Sequence, residues 1–477
     1  MDASLGQTSC SKCGAKLAQE APPSSQEVSL PPKTKQRLDF LVCALFVFVV
    51  VALVWWLEPT QYIKKLLHRP PPTQEQADQT TTKRPNFLRV HPWDENEKPI
   101  KIEDADAQYD LGNIFADGKR VKKDESEAFR WFEKAANQGN AKAQGKLAYM
   151  YDEGRGVAQN HAKAIEWYQK AANQGDALSQ TMLGMMYAEG NRLPKDEALA
   201  VTWYKVAANQ GFPMAELNLA SMYAQGKGVG KDESRALEWY LKSVSHATSD
   251  IPINVQADVE TKVAMMYSLG LGVQQDEAKA SKWFSKAAQS GNADAQLMTG
   301  MNFASGLGVP KDETVAFEWI EKSAKQGLVE AQYVVATKYA SGIGVSKDFE
   351  KAVWWGQKAA ERQHARAANL MGLFYMLGEG VPKDERKAVE WFQKAAKEGV
   401  ADAQFMLGLH YYCGQGVPMD NVRAYAWVFL ATAQNRPKAA ALQGEIEKHL
   451  TPQQKTEAQK LVTEILRNMP TPSPKSP

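Results

Sequence analysis

Cysteine is scarce, with four in 477 residues, so the chain is not a small disulfide-built scaffold. Neither sign of charge is in excess, with 57 basic residues against 55 acidic ones. That balance gives no general pull toward nucleic acid or an acidic substrate, and no nucleic-acid partner is expected. The seven histidines form no H-E-x-x-H pair, and no G-x-S-x-G nucleophile elbow is present. The segment Gly226-Lys227-Gly228-Val229-Gly230-Lys231 lacks the spacing of a phosphate loop and the Ser or Thr after its lysine. His410 stands three residues before Cys413, a spacing open to a dyad or, more simply, to a packed core thiol.

One long apolar run interrupts an otherwise water-soluble composition. Residues Phe40 to Leu57 read FLVCALFVFVVVALVWWL, eighteen apolar residues in succession. As a helix such a run spans about 27 Å, close to the roughly 30 Å of a bilayer core. Trp55 and Trp56 end it where amphipathic rings favour the lipid–water interface. The 39 residues before the run and the absence of a small-residue cleavage site argue against a signal peptide. A single transmembrane helix at 40–57 is expected.

The flanking charges do not orient it, since Lys33, Lys35 and Arg37 balance Lys64, Lys65 and Arg69. Cys10 and Cys13, in S-C-S-K-C-G, form one knuckle of a zinc ribbon. Tetrahedral zinc needs four ligands, so a metal here requires two more thiolates supplied in trans, and no other cofactor is expected. A free thiol pair favours a reducing compartment. That preference places the N-terminus in the cytoplasm, the helix in the inner membrane and the remainder on the periplasmic side.

Residues 1–39 are a proline- and serine-rich tail, and 58–104 a proline-rich extended linker. From Ala105 the sequence repeats itself. Tryptophan recurs at 131, 167, 203, 239, 283, 319, 355, 391 and 427, every 36 residues except for one interval of 44. An alanine stands three residues before each tryptophan and a glycine thirteen before. In the unit Ala293–Leu328 a first helix should run from about Ala293 to Ala304. Gly306 and Gly308 should permit a tight loop, and Asp312 should cap a second helix ending near Gly327. Such a pair is too short to bury its own apolar face, so neighbours must stack, with each tryptophan expected to fill a pocket between units. After Arg436, helices near 438–449 and beyond Thr451-Pro452 read as a cap, with Leu461, Val462, Ile465 and Leu466 in one apolar stripe over residues 437–469. Residues 470–477 form a second tail.

The pattern A-x-A-Q…L-G-x-x-Y-x-x-G-x-G-V-x-K-D…A-x-x-W-x-x-K-A-A-x-x-G resembles the Sel1-like repeat, a relative of the tetratricopeptide repeat. The match covers residues 105–436. Arg120 and Arg192 depart from it at the second loop glycine, and Gln363 and Asn435 at the closing one. The resemblance implies an all-α, right-handed solenoid of nine helix-pair repeats that works as a scaffold or adaptor for a protein or peptide. With one membrane helix and half a zinc ribbon upstream, the layout is similar to that of bacterial envelope proteins.

By analogy with the tetratricopeptide fold, the fifth, ninth and twelfth residues of each repeat line an inner surface. In repeats six to nine these include Leu297, Met301, Tyr333, Leu373, Met376, Phe405, Leu409 and Tyr412. Two arrangements fit them: a row of contact residues for a partner, or side chains packed on one another. The alternative to a membrane-anchored scaffold is an enzyme or regulator of cell-wall or peptide chemistry with an unrecognised site on the repeats.

Overall fold

A computed structural model describes residues 103–247 and 252–469, and the backbone of Thr8–Ser9 and Lys16–Leu17. Those last two segments pair as antiparallel strands β1 and β2, in the register Thr8 to Leu17 and Ser9 to Lys16. Cys10, Cys13 and the apolar run 40–57 lie outside the described residues. Among the described residues, no helix is long and apolar enough to cross a membrane.

The rest is helical, in two compact units that divide after Asn292. The first unit holds five repeats: α1 Ala105–Asp117 with α2 Glu125–Asn137, α3 Ala141–Glu153 with α4 His161–Asn173, and α5 Ala177–Glu189 with α6 Glu197–Ala208. It continues through α7 Pro213–Gln225 with α8 Glu233–His246, and α9 Ile253–Leu269 with α10 Glu277–Gln289. The second unit holds α11 Ala293–Ser305 with α12 Glu313–Lys325, α13 Val329–Ser341 with α14 Phe349–Glu361, and α15 Ala365–Leu377 with α16 Glu385–Lys397. It ends with α17 Ala401–Cys413 and α18 Asn421–Ala433, then α19 Ala439–Glu447 and α20 Pro452–Asn468, both packed on α18. Within each unit a first helix packs on the second helix of its own repeat and of the repeat before.

Local chemistry sets these boundaries. Every second helix of a repeat starts at Asp124, Asn160, Asp196, Asp232, Asp276, Asp312, Asp348, Asp384 or Asp420, whose side chain accepts a first-turn N–H. Asp384→Ala should lower stability by about 1 kcal/mol, read as a lower unfolding midpoint, while Asp384→Asn should stay close to the parent. Gln363 and Asn435, which replace the closing glycine, still adopt its left-handed backbone, with φ of 63° and 56°. The inserted segment is partly helix: α9 begins four residues before the repeat register at Ala257. In the cap, Thr451 and Gln454 form a capping box. Only Val462 of the expected stripe is buried, and Leu466 stays exposed.

The tryptophans do not fill the pockets between repeats. Seven of the nine are half-buried, and only Trp355 and Trp427 are buried. The pocket is taken by the next residue: Phe132, Tyr168, Tyr204, Tyr240, Phe284, Ile320, Phe392 and Val428 are each at most 3% exposed. Several of these fit against a glycine of the first helix, where a methyl group on Gly112, Gly184 or Gly372 would come within 2.6 Å of the opposing ring. Repeat seven lacks the large residue, with Gly356 at its position beside Ala336, and Met371 and Phe374 close the space. Six of the half-buried tryptophans, all but Trp203, instead lie under a lysine three residues on, as with Lys322 at 4.0 Å from the Trp319 ring centre and Lys394 at 4.0 Å from that of Trp391.

Candidate functional site

The eight expected contact residues divide in the second unit. Leu297, Met376, Leu409 and Tyr412 are buried, Tyr412 completely. Its ring lies 6.1 Å from that of His449 in the turn between α19 and α20. Met301, Tyr333, Leu373 and Phe405 are half-buried, one on each of the successive first helices α11, α13, α15 and α17.

Two of these four carry an intramolecular partner. The Tyr333 ring lies 4.7 Å from the His364 ring. His364 accepts the Ala367 N–H at Nδ1 (3.0 Å), capping α15, and its Nε2 meets Glu330 Oε2 at 2.8 Å. Burial raises the Tyr333 hydroxyl above its ordinary range, with Arg366 opposing. Phe405 carries the Arg436 guanidinium 5.3 Å from its ring centre, and Arg436 in turn pairs with Asp402. The closing residue of the repeat is thus clasped between an acid at the second position and a ring at the fifth. Asn140 with Asp106 and Asn292 with Asp258 repeat the polar half of this arrangement at 2.7 Å.

A hydrogen-bonded glutamine ladder, not anticipated from the sequence, recurs in repeats one, two, three, six and nine. The fourth-position glutamine accepts from the glutamine thirty residues on, as in Gln138 to Gln108 (2.8 Å), Gln174 to Gln144 (2.7 Å) and Gln434 to Gln404 (2.9 Å). It donates to a carbonyl of the preceding repeat: Gln144 to Ala136 (3.1 Å), Gln180 to Ala172 (3.0 Å), Gln404 to Ala396 (3.2 Å). Buried amides whose donor and acceptor are both used fix the stagger of one repeat on the next. The sequence signal was available in A-x-A-Q and in the glutamine before Gly139, Gly175, Gly211 and Gly327.

Arg192, a departure from the loop pattern, answers another. Its Nη1 lies 2.9 Å from the buried Asp152, which also takes His161 Nδ1 at 2.8 Å. Asp152 and His161 stand where other repeats carry Ala, Ser, Met or Tyr and mostly glutamate, so the three substitutions form one lock between repeats two and three.

No catalytic constellation accompanies this framework among the described residues. His410 is buried, its Nδ1 is 3.0 Å from the Gln415 carbonyl oxygen, and burial holds its pKa below the ordinary imidazole range. No group of three or more His, Cys, Asp or Glu side chains is placed to hold a metal ion among those residues.

Stacked helix pairs joined by buried ladders, with variable side chains along the first helices, define the class of helical-repeat scaffolds. The family model described as Sel1 repeat matches residues 105–140, 141–176, 177–212, 213–246, 257–292, 293–328, 329–364, 365–400 and 401–435, and the chain belongs to that family. A Sel1 repeat protein from Oxalobacter formigenes is similar at 28% identity and a TM-score of 0.51, over 78% of this chain and 100% of that one. The antigen c5321 of uropathogenic Escherichia coli strains is 31% identical over 77% of this chain and 92% of its own, with a TM-score of 0.38. No curated protein matches the chain.

Proposed function

We propose that the chain is a non-catalytic scaffold that holds a protein or peptide segment along the first helices of repeats six to nine. The observation that carries this reading is the run Met301, Tyr333, Leu373 and Phe405, apolar or aromatic side chains left half-buried on four successive first helices. Aromatic and methionine side chains suit such contacts because they bury much area for little ordering entropy. The clasped pairs Tyr333–His364 and Phe405–Arg436 add a polar edge next to each ring.

The apolar run at 40–57 supports an anchor in the inner membrane, with the linker 58–104 holding the repeats on the periplasmic side. No cofactor is required, and zinc at Cys10 and Cys13 needs ligands from a second chain. Protease added to intact spheroplasts should digest the repeats and spare the N-terminal tail; the reverse pattern contradicts the orientation.

Contact is tested by Phe405→Ala and Leu373→Ala in the full chain. Each should weaken partner capture, the pair by about 2 kcal/mol, on the scale of an interface hot spot. Tyr412→Ala is unsuitable for this purpose because it opens the core. Unchanged capture by the double variant excludes this surface.

A further inference from the structure

The glutamine ladder has a chemical exception in the first unit. Its fourth position is glutamate in repeats four and five, as Glu216 and Glu260, and both side chains are fully buried. Glu216 keeps one bond of the ladder, with His246 Nδ1 at 2.7 Å from its Oε1. The other bond is missing, and Oε2 is buried without a partner. The register-equivalent acceptor is in place. The Ala208 carbonyl takes the Gly211 N–H at 2.9 Å, just as the Ala172 carbonyl takes that of Gly175 at 3.0 Å. In the neighbouring repeat the Ala172 carbonyl also receives the Gln180 amide. A carboxylate has no proton with which to do the same.

We propose that Glu216 is a proton-operated latch between repeats three and four: a proton taken from solvent onto Oε2 is donated to the Ala208 carbonyl and completes the ladder. One O–H bond forms and no covalent bond of the protein breaks. His246 keeps its contact with Oε1, and its half-exposed ring leaves any positive charge in water. The charged groups acting on Glu216 are His246 and Lys242, both from α8. From α6 and the turn after it come Ala207, Ala208 and Gly211, none titratable. Glu260, on α9, differs in having a lysine: its Oε1 takes Lys286 at 2.9 Å and Gln256 at 3.0 Å, while its Oε2, like that of Glu216, is buried without a partner. Burial raises the Glu216 carboxyl above its ordinary range, against the opposing hydrogen bond and charge of His246.

The native chain therefore holds this proton to higher pH than the unfolded chain, whose glutamate titrates near about 4.3. The contribution to stability is complete below the unfolded value and is lost as pH rises through the folded one. The joint between repeats three and four is tighter in acid and loosens as pH rises.

Glu216→Gln supplies the second donor permanently. In the full chain it should unfold a few degrees above the parent at about pH 8, with the gap closing as pH falls toward about 4.5. The parent-minus-variant infrared difference should show the stretch of a protonated, buried carboxyl that grows on acidification. A gap that does not change with pH, a variant less stable than the parent at the higher pH, or no such band overturns the latch. Should the variant fail to fold, hydrogen exchange in the parent decides. Protection of the first amides of α7, relative to those of α5, should rise on acidification, and a constant ratio overturns the proposal.

Discussion

Phe284→Ala should destabilise the chain by about 3–5 kcal/mol, the range for truncating a large buried aromatic side chain, and Trp283→Ala should cost clearly less. Phe284 is 1% exposed and sits among the buried alanines Ala280, Ala287 and Ala288 of its own helix. Alanine there opens a cavity that rigid helix pairs cannot fill by collapse. Trp283 is half-buried, with Lys286 at 5.0 Å from its ring centre, so its removal uncovers surface and forfeits a solvent-facing cation–π contact. Chemical unfolding of the two variants measures the order directly. A larger loss for Trp283→Ala would return the tryptophan to the centre of the stack.

Gly344→Ala should cost more than the roughly 1–2 kcal/mol that left-handed backbone alone imposes on an L-residue. Gly344 has φ of 75°, and a Cβ added to it would lie 2.0 Å from the carbonyl oxygen of Glu313, at the start of the second helix of the preceding repeat. Neither backbone can yield without separating repeats six and seven. Gly399 is the control, since it has φ of 84° and nothing within 4 Å of its added Cβ. Gly399→Ala should report the conformational cost alone, so the difference between the two variants measures the close approach. Equal losses would mean that the loop does not bear on its neighbour.

The repeat boundaries were legible because local chemistry sets them. An aspartate or asparagine at the start of each second helix, one or two glycines in each loop and alanines at helical spacing act within a few residues of their own position. The choice between Trp283 and Phe284 was not legible. Adjacent residues share the 36-residue period, and the constant, conspicuous tryptophan stands beside a position that varies among Phe, Tyr, Ile, Val and Gly. Shape across the helix pair decides which one is buried: where Gly356 stands at the large position, Trp355 beside it is buried. The exposure of the proposed contact residues was legible in part. Position in the repeat placed Met301, Tyr333, Leu373 and Phe405 on four successive first helices, but it does not separate them from Leu297, Met376, Leu409 and Tyr412, which are buried. Tyr412 is buried with the His449 ring of the cap 6.1 Å away, but Met376, at the same position of an internal repeat, is buried as well. Arg192 looked like a lost glycine in sequence and proves to be a partner for Asp152, forty residues earlier.

Site-specific photo-crosslinking of the full chain in membranes tests the scaffold reading most directly. A photoreactive residue is placed at Met301, Leu373 or Phe405 on the first helices, or at Glu318 or Glu390 on the exposed faces of second helices. The account predicts one discrete adduct shared by the three first-helix sites, absent from the two controls, and lost from the Leu373 site when Phe405 is replaced by alanine. Equal labelling at all five sites, or adducts confined to the controls, would contradict it.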